Sequence, residues 1–290
     1  MDCNMAAQIL ASLGFPAPVT VTPFTREEDS DCCNVWKLDA PGSTTVLKKI
    51  TPREKATLEA FFPQGGCGTP RIYGFVQYEG DIYLLSEFFS GGTLSHSNRK
   101  SLTLALDALI QIQEQYWGNT ALCDAGWTFD EQYAALQKRL PYMEDLADAY
   151  SAYLEVNRSV PRTLCNDDLL PFNVLANEEQ AVILDWELGG ILPYLCALAR
   201  FLAFGEENTD FLFQMTRADK EFAIDYYYDR LLQKKGISHA QYLHDLKLFF
   251  FKEYSEWVYL ARSTGDFSSP YYKKYYPKAK ALAIELGLYK

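Results

Sequence analysis

The hydrophobic periodicity of the chain changes once, at Gly91 and Gly92, and that change restricts the fold more than any other feature. Before it, apolar residues fall in short β-type runs at 34–38, 44–50, 73–78 and 81–88, broken by one helical pattern at 51–62. After it, helical spacing dominates at 102–116, 129–154, 194–204, 220–234 and 239–262. Leu104, Ala108, Ile112 and Gln115, for example, fall on one helix face. The exception is 173–186, which reads as a short hairpin with a polar turn. A sheet-rich segment followed by a larger helical one that carries a single hairpin predicts a two-lobed α+β protein. The lobes are expected at 1–91 and 92–290, with a cofactor cleft where they meet.

Composition narrows the partners. The 290 residues carry 27 basic and 38 acidic side chains, a net charge of −11 and a pI near 4.8. Nucleic-acid backbones require clustered Lys and Arg, so no nucleic-acid partner is expected. No apolar run reaches the length of a membrane span, and the first 16 residues lack the basic start and apolar stretch of a signal peptide. Cys3, Cys32, Cys33, Cys67, Cys123, Cys165 and Cys196 form an odd, scattered set without C-x-x-C spacing, which argues against zinc and for a cytoplasmic home.

The chemistry concentrates in 164–187, LCNDDLLPFNVLANEEQAVILDWE. With a turn at 177–180, antiparallel pairing sets Asn173 opposite Leu184 and beside Asp185. A carboxylate and an amide oxygen then converge at the open end of the hairpin, just beyond the loop that holds Asp168. Hard oxygen ligands of this kind suit Mg²⁺, which keeps the rest of its shell for water and phosphate. Asp168, outside that pair, can accept the proton of a hydroxyl that attacks a phosphoryl group. Turns favour Asp and Asn for their own reasons, but the three together on one hairpin point to a site.

The stretches Asn166-Asp167-Asp168-Leu169-Leu170-Pro171-Phe172-Asn173 and Leu184-Asp185-Trp186-Glu187 resemble the aminoglycoside phosphotransferase and choline kinase superfamily, whose fold is protein-kinase-like. The resemblance implies a small-molecule kinase using ATP or GTP, with Asp168 as the catalytic base and Asn173 and Asp185 as Mg²⁺ ligands. It also implies a phosphate-binding lysine and an acidic partner in the small lobe. Strand alternation puts Val46 and Lys48 on one face and Leu47 and Lys49 on the other, and the family pattern favours Lys48. Glu54 is the candidate partner, on the stripe Glu54, Leu58, Phe61, Phe62. Thr51-Pro52-Arg53-Glu54 is equally a capping box, which offers Glu54 a purely structural role. Glu59 is expected to pair with Lys55 on the surface. Residues 86–92 read as the hinge, where the Glu87 carbonyl and Phe89 amide would meet a purine edge.

Three features depart from the family pattern. The hairpin at 29–34 has no glycine, Asn166 stands where the catalytic loop usually has His, and Cys196 stands where the following helix usually has Asp. These leave open an alternative, a nucleotide-binding pseudokinase. For the acceptor, the resemblance implies a small hydroxylated molecule, an amine or a sugar, with Asp167, Glu187, Glu206 and Glu207 as candidates to hold a cation.

Overall fold

The computed structural model describes residues 1–25, 32–207 and 213–289. The N-terminal part is built on a five-stranded antiparallel sheet of β1 (Thr20–Thr25), β2 (Cys32–Ala40), β3 (Ser43–Ile50), β4 (Ile72–Tyr78) and β5 (Asp81–Glu87), in the order β1-β2-β3-β5-β4. Two helices accompany the sheet. The first, α1 (Cys3–Ala11), was not expected; Asp2 caps it by accepting from the Met5 amide at 2.9 Å. Its Ala6, Ile9 and Leu10 bury against Leu38, Leu47 and Leu85, forming a core separate from the main one. The face of β3 that carries Leu47 is therefore spoken for, and Lys48 is left on the other. The second helix, α2 (Pro52–Phe61), has Thr51 as its cap and Pro52 at its first position.

The C-terminal part is mainly helical. After β6 (Gly92–Thr93) come α3 (Arg99–Tyr116), α4 (Phe129–Gln137), α5 (Ala147–Ser159), and the strands β7 (Arg162–Asn166), β8 (Val174–Ala176), β9 (Ala181–Ile183) and β10 (Gly189–Pro193). The chain continues as α6 (Leu195–Ala203), α7 (Arg217–Tyr227), α8 (His239–Thr264) and α9 (Pro270–Glu285). One helix was expected over 129–154; instead α4 and α5 are separated by short 3-10 turns. Pro141 lies in the first turn and Glu144 takes the left-handed conformation, φ 49°. Proline removes an amide donor and clashes with the preceding turn, so the helix cannot run through.

The hairpin holds the register expected for it. Val174 pairs with Ile183 and Ala176 with Ala181, and the Leu184 amide donates to the Asn173 carbonyl at 2.8 Å. Asn177 closes the turn, its side-chain oxygen accepting from the amides of Glu179 and Gln180 at 2.9 Å. β6 adds to the other side of β8. That approach depends on glycine, because a Cβ at Gly91 would lie 2.7 Å from the Ala176 carbonyl oxygen.

Beneath the hairpin, β7 and β10 pair antiparallel, with Asn166 opposite Gly189. The main core spreads from there through α3, α5, α6 and α8, with Tyr150, Tyr153, Phe249 and Phe251 fully buried. Among the described residues no helix is long and apolar enough to cross a membrane.

Candidate active site

Lys48 stands at the centre of the first cluster. Its Nζ lies 2.6 Å from Glu54 Oε1 and 2.7 Å from Asp185 Oδ1, tying β3 to α2 and to the end of the hairpin. Burial alone would lower the pKa of this ammonium, but the charges of Glu54 and Asp185 outweigh it and hold the pKa above its ordinary value. Thr51 accepts from the Glu54 amide at 3.1 Å, so the cap is made. The buried Glu54 carboxylate itself turns to Lys48, and one residue thus serves both readings. Lys49, on the opposite face, pairs with Asp81 at 2.7 Å. Lys55 and Glu59 form the expected pair at 2.5 Å.

Asp185 follows β9 in a left-handed conformation, φ 59° and ψ 65°. A non-glycine residue takes that region at a cost, which the surroundings must offset. Here the offset comes from Asn166. Its Nδ2 donates to the carbonyls of Asp185 at 2.9 Å and Leu184 at 3.3 Å, while its Oδ1 accepts from the Asp168 amide at 3.0 Å. Asn166 thus clamps the Asp168 loop to the Asp185 turn using an amide, with no imidazole needed. Trp186 follows, buried, its Nε1 donating to the Ile183 carbonyl at 3.1 Å and its ring 4.7 Å from that of Phe62.

Asn173 donates through Nδ2 to the Asp168 carbonyl at 3.0 Å, which leaves its amide oxygen as the open polar atom. With Asp185 it offers a hard donor set that fits a divalent cation. Among the described residues no group of three His, Cys, Asp or Glu could hold a metal without outside ligands. An ion at Asn173 and Asp185 would complete its shell from water and phosphate.

Asp168 has a partner that sequence reasoning missed. Arg200 of α6 reaches Asp168 Oδ1 through Nε at 3.0 Å and Nη2 at 2.7 Å. Its Nη1 lies 3.0 Å from Glu253 and 3.1 Å from Glu256, both on α8. Glu256 also pairs with Arg139 at 2.6 Å, and Glu253 with Lys252 at 2.9 Å. Burial raises the Asp168 pKa above its ordinary value, and the Arg200 charge only partly opposes this. The available signal was Arg200 as the single charge in the apolar run LCALARFLA.

A cavity of about 130 Å³ opens beside Asp168, walled by Trp127, Gln132, Arg139, Asp167, Arg200 and Lys252. Of the acidic residues considered for the acceptor, Asp167 lies in this wall. Glu206 instead pairs with Lys274 and Lys278. Glu207 accepts from the Arg217 amide at 2.6 Å. Glu187 lies in electrostatic reach of Glu54 and outside the cavity wall. Cys196 is buried, its thiol pKa pushed well up, and it accepts from Gln132 Nε2 at 3.3 Å.

At the hinge position, Glu87 ends β5, with its amide donating to the Arg71 carbonyl at 2.9 Å, and Phe89 is buried. In the 29–34 hairpin, residues 29–31 lie outside the described residues.

The fold has many relatives. A choline/ethanolamine kinase family protein from Mesorhizobium loti superposes with a TM-score of 0.67 at 15% identity, covering 98% of this chain and 97% of that one. An aminoglycoside phosphotransferase from Alicyclobacillus acidocaldarius gives 0.58 at 14%, covering 92% of each chain. Amicoumacin kinase hAmiN, solved with AMP-PNP, Ca²⁺ and Ami, gives 0.57 at 11%, covering 92% of this chain and 87% of that one. No curated protein sequence matches the chain. The family described as "Phosphotransferase enzyme family" matches residues 20–231. That span contains the β3 lysine, the Asp168 loop and the Asp185 hairpin, so the sequence match and the shared two-lobed fold agree: the chain belongs to the phosphotransferase enzyme family.

Proposed function

We propose that this phosphotransferase moves the γ-phosphoryl group of ATP or GTP to a hydroxyl of a small acceptor. Residues 1–91 form the nucleotide-binding lobe, and 92–290 carry the catalytic loop and the acceptor site. The observation that carries this reading is Lys48, held between Glu54 at 2.6 Å and Asp185 at 2.7 Å. A charged lysine fixed in a cleft by two carboxylates is aimed for phosphate oxygens. The Glu87 carbonyl and Phe89 amide are the groups assigned to the purine edge.

Asp168 is the base. The acceptor oxygen forms its bond to the γ-phosphorus as the bond from that phosphorus to the leaving nucleoside diphosphate breaks. The hydroxyl proton passes to the Asp168 carboxylate. A pKa raised by burial makes that carboxylate a better proton acceptor than an exposed one, and Arg200 holds its orientation. Mg²⁺, bound through Asn173 and Asp185, would neutralise phosphate charge. The departure at Asn166 is compatible with this machinery, because Asn166 keeps the loop tied to the Asp185 turn.

The test is ADP or GDP release with Mg²⁺-ATP or Mg²⁺-GTP across amino alcohols, aminoglycosides, sugars and nucleosides, with Asp168→Asn as control. Turnover on one acceptor class that vanishes in the control is the expected result. Nucleotide binding with no acceptor-dependent turnover would replace the kinase with the pseudokinase alternative.

A further inference from the structure

A second cavity, of about 230 Å³, lies at the far end of the β7–β10 ribbon from the catalytic loop, where Pro161 enters β7 and Tyr194 leaves β10. It is walled by Val156, Val160, Pro161, Tyr194 and Ile237 and shares no residue with the cavity beside Asp168. Into these largely apolar walls α8 sets Gln241 and Asp245, one helical turn apart. Gln241 is exposed, whereas Asp245 is 2% exposed and shares the inward stripe of Tyr242, Leu246 and Phe249. The helix itself does not need an acid there, because Asp245 lies well past the Ser238 cap and the first turn of free amides. Its Oδ1 accepts from Gln241 Nε2 at 2.8 Å and meets His244 Nδ1 at 3.1 Å. Its Oδ2 has no hydrogen-bond partner among the described residues and is not sealed from solvent. No Lys or Arg among the described residues comes within ion-pair distance of it, and an imidazole is a counter-charge only when protonated. Two lining residues flank this carboxylate. Gln241 holds it from the solvent side, and on the inner side burial and then the Asp245 charge raise the Tyr194 phenol pKa.

We propose that this cavity is a second ligand site, separate from the candidate active site, for a primary ammonium ion that carries a compact hydrocarbon group. The nitrogen sits on Asp245, and the hydrocarbon lies among Val156, Val160, Pro161 and Ile237. A buried carboxylate with no fixed cation carries a desolvation cost, which a bound ammonium offsets with its charge and its N–H donors. A neutral alcohol brings one donor and no charge, and an anion is repelled. The apolar walls favour hydrocarbon over water, so a bare ammonium ion leaves them unused. Size sets the scale of that group. A cavity of about 150 Å³ holds benzene, and this one, at about 230 Å³, adds room for an aminomethyl arm. Asp167, in the wall of the cavity beside Asp168, is the competing carboxylate. The experiment separates the two.

The full chain is titrated calorimetrically with benzylammonium chloride, benzyl alcohol and sodium benzoate, as the wild type and as Asp245→Asn, Val160→Phe and Asp167→Asn. Benzylammonium is expected to bind with a Kd of about 1 mM or tighter, at least about tenfold tighter than the alcohol or the benzoate. Asp245→Asn should weaken it about tenfold or more, the effect of one hydrogen bond to a charged group. Val160→Phe, which fills the cavity with carbon, should do the same, and Asp167→Asn should leave the affinity unchanged. A measurement without substitution covers the case in which a variant does not fold: in ¹³C-methyl spectra of the wild type, the Val156, Val160 and Ile237 resonances should move as benzylammonium is added. Absence of binding, equal binding of benzyl alcohol, or methyl resonances that stay in place overturns the inference. So does an affinity that survives Asp245→Asn and falls in Asp167→Asn, which would put the amine beside Asp168. None of these outcomes bears on phosphoryl transfer, so the kinase reading stands or falls by its own test.

Discussion

As the proposed base, Asp168 combines two opposing demands, for it must be basic enough to take a proton and yet remain ionised in a half-buried position. Burial supplies the first and Arg200 the second. Replacing Asp168 with Asn removes the proposed base and keeps the shape, so turnover should fall by about 10²–10⁴, with nucleotide affinity unchanged in a direct binding assay. Arg200→Met acts differently. It strips Glu253 and Glu256 of a partner in a buried network, and urea unfolding should show a loss of about 3–5 kcal/mol. It also removes the positive charge that lowers the Asp168 pKa. Because the active base is deprotonated, activity falls as pH drops through that pKa. The acid limb of kcat/KM should therefore move to higher pH in the variant, and a limb that stays in place would separate Arg200 from the base.

At the scale of elements, the hairpin was legible in the sequence because short-range rules govern it. A polar turn and period-two alternation fix the register, and the register alone brings Asn173 beside Asp185. Alternation along β3 put Lys48 and Lys49 on opposite faces, but the choice of Lys48 between them came from the family pattern. Arg200, Trp127 and Gln132 were not legible, because each meets its partners through packing between elements distant in sequence. α1 escaped notice as a nine-residue helix whose apolar face matters only once the sheet exists to receive it. Helix α7 shows a related cost of packing. Burial, aided by the Lys278 charge, brings the Lys220 pKa down to about 8, with Glu206 only partly opposing. The unfolded chain keeps that proton to about pH 10.4. Between those values the unfolded state binds more protons, so this residue makes stability rise with pH there. At pH 7 it is a full penalty. Lys220→Met should stabilise the protein at pH 7 by about 1–2 kcal/mol, allowing for the part of the side chain that meets water. The variant should also lose the rise between pH 8 and 10, which thermal melts at a series of pH values would reveal. The Ala203 carbonyl, 3.4 Å from Lys220 Nζ, keeps the Tyr254 hydroxyl as a donor at 3.1 Å.

Across the whole molecule, the sheet part and the helical part share one core through Ile50, Leu58, Phe61, Phe62 and Leu84, and the candidate site lies along the same junction. Lys48 reaches Asp185, Thr57 Oγ1 donates to the Gly189 carbonyl at 3.5 Å, and Phe62 packs on Trp186. A ligand that bridges this junction stabilises the folded chain by mass action, because the unfolded chain has no cleft to bind it. Mg²⁺-ATP at a hundredfold excess over its dissociation constant should add about 2.7 kcal/mol. For a chain of this size that corresponds to a rise of about 4–5 °C in Tm. The metal-dependent part of the rise, obtained by repeating the melt with EDTA, should vanish in Asp185→Ala, which lacks the carboxylate that faces Lys48 and neighbours Asn173. In Asp168→Asn it should persist, since Asp168 contacts Arg200 and stands outside the metal pair. Equal rises in both variants would place the nucleotide site away from the hairpin. Loss in both would mean that Asp168 belongs with the metal ligands and that the proton acceptor must be sought elsewhere in the cavity wall.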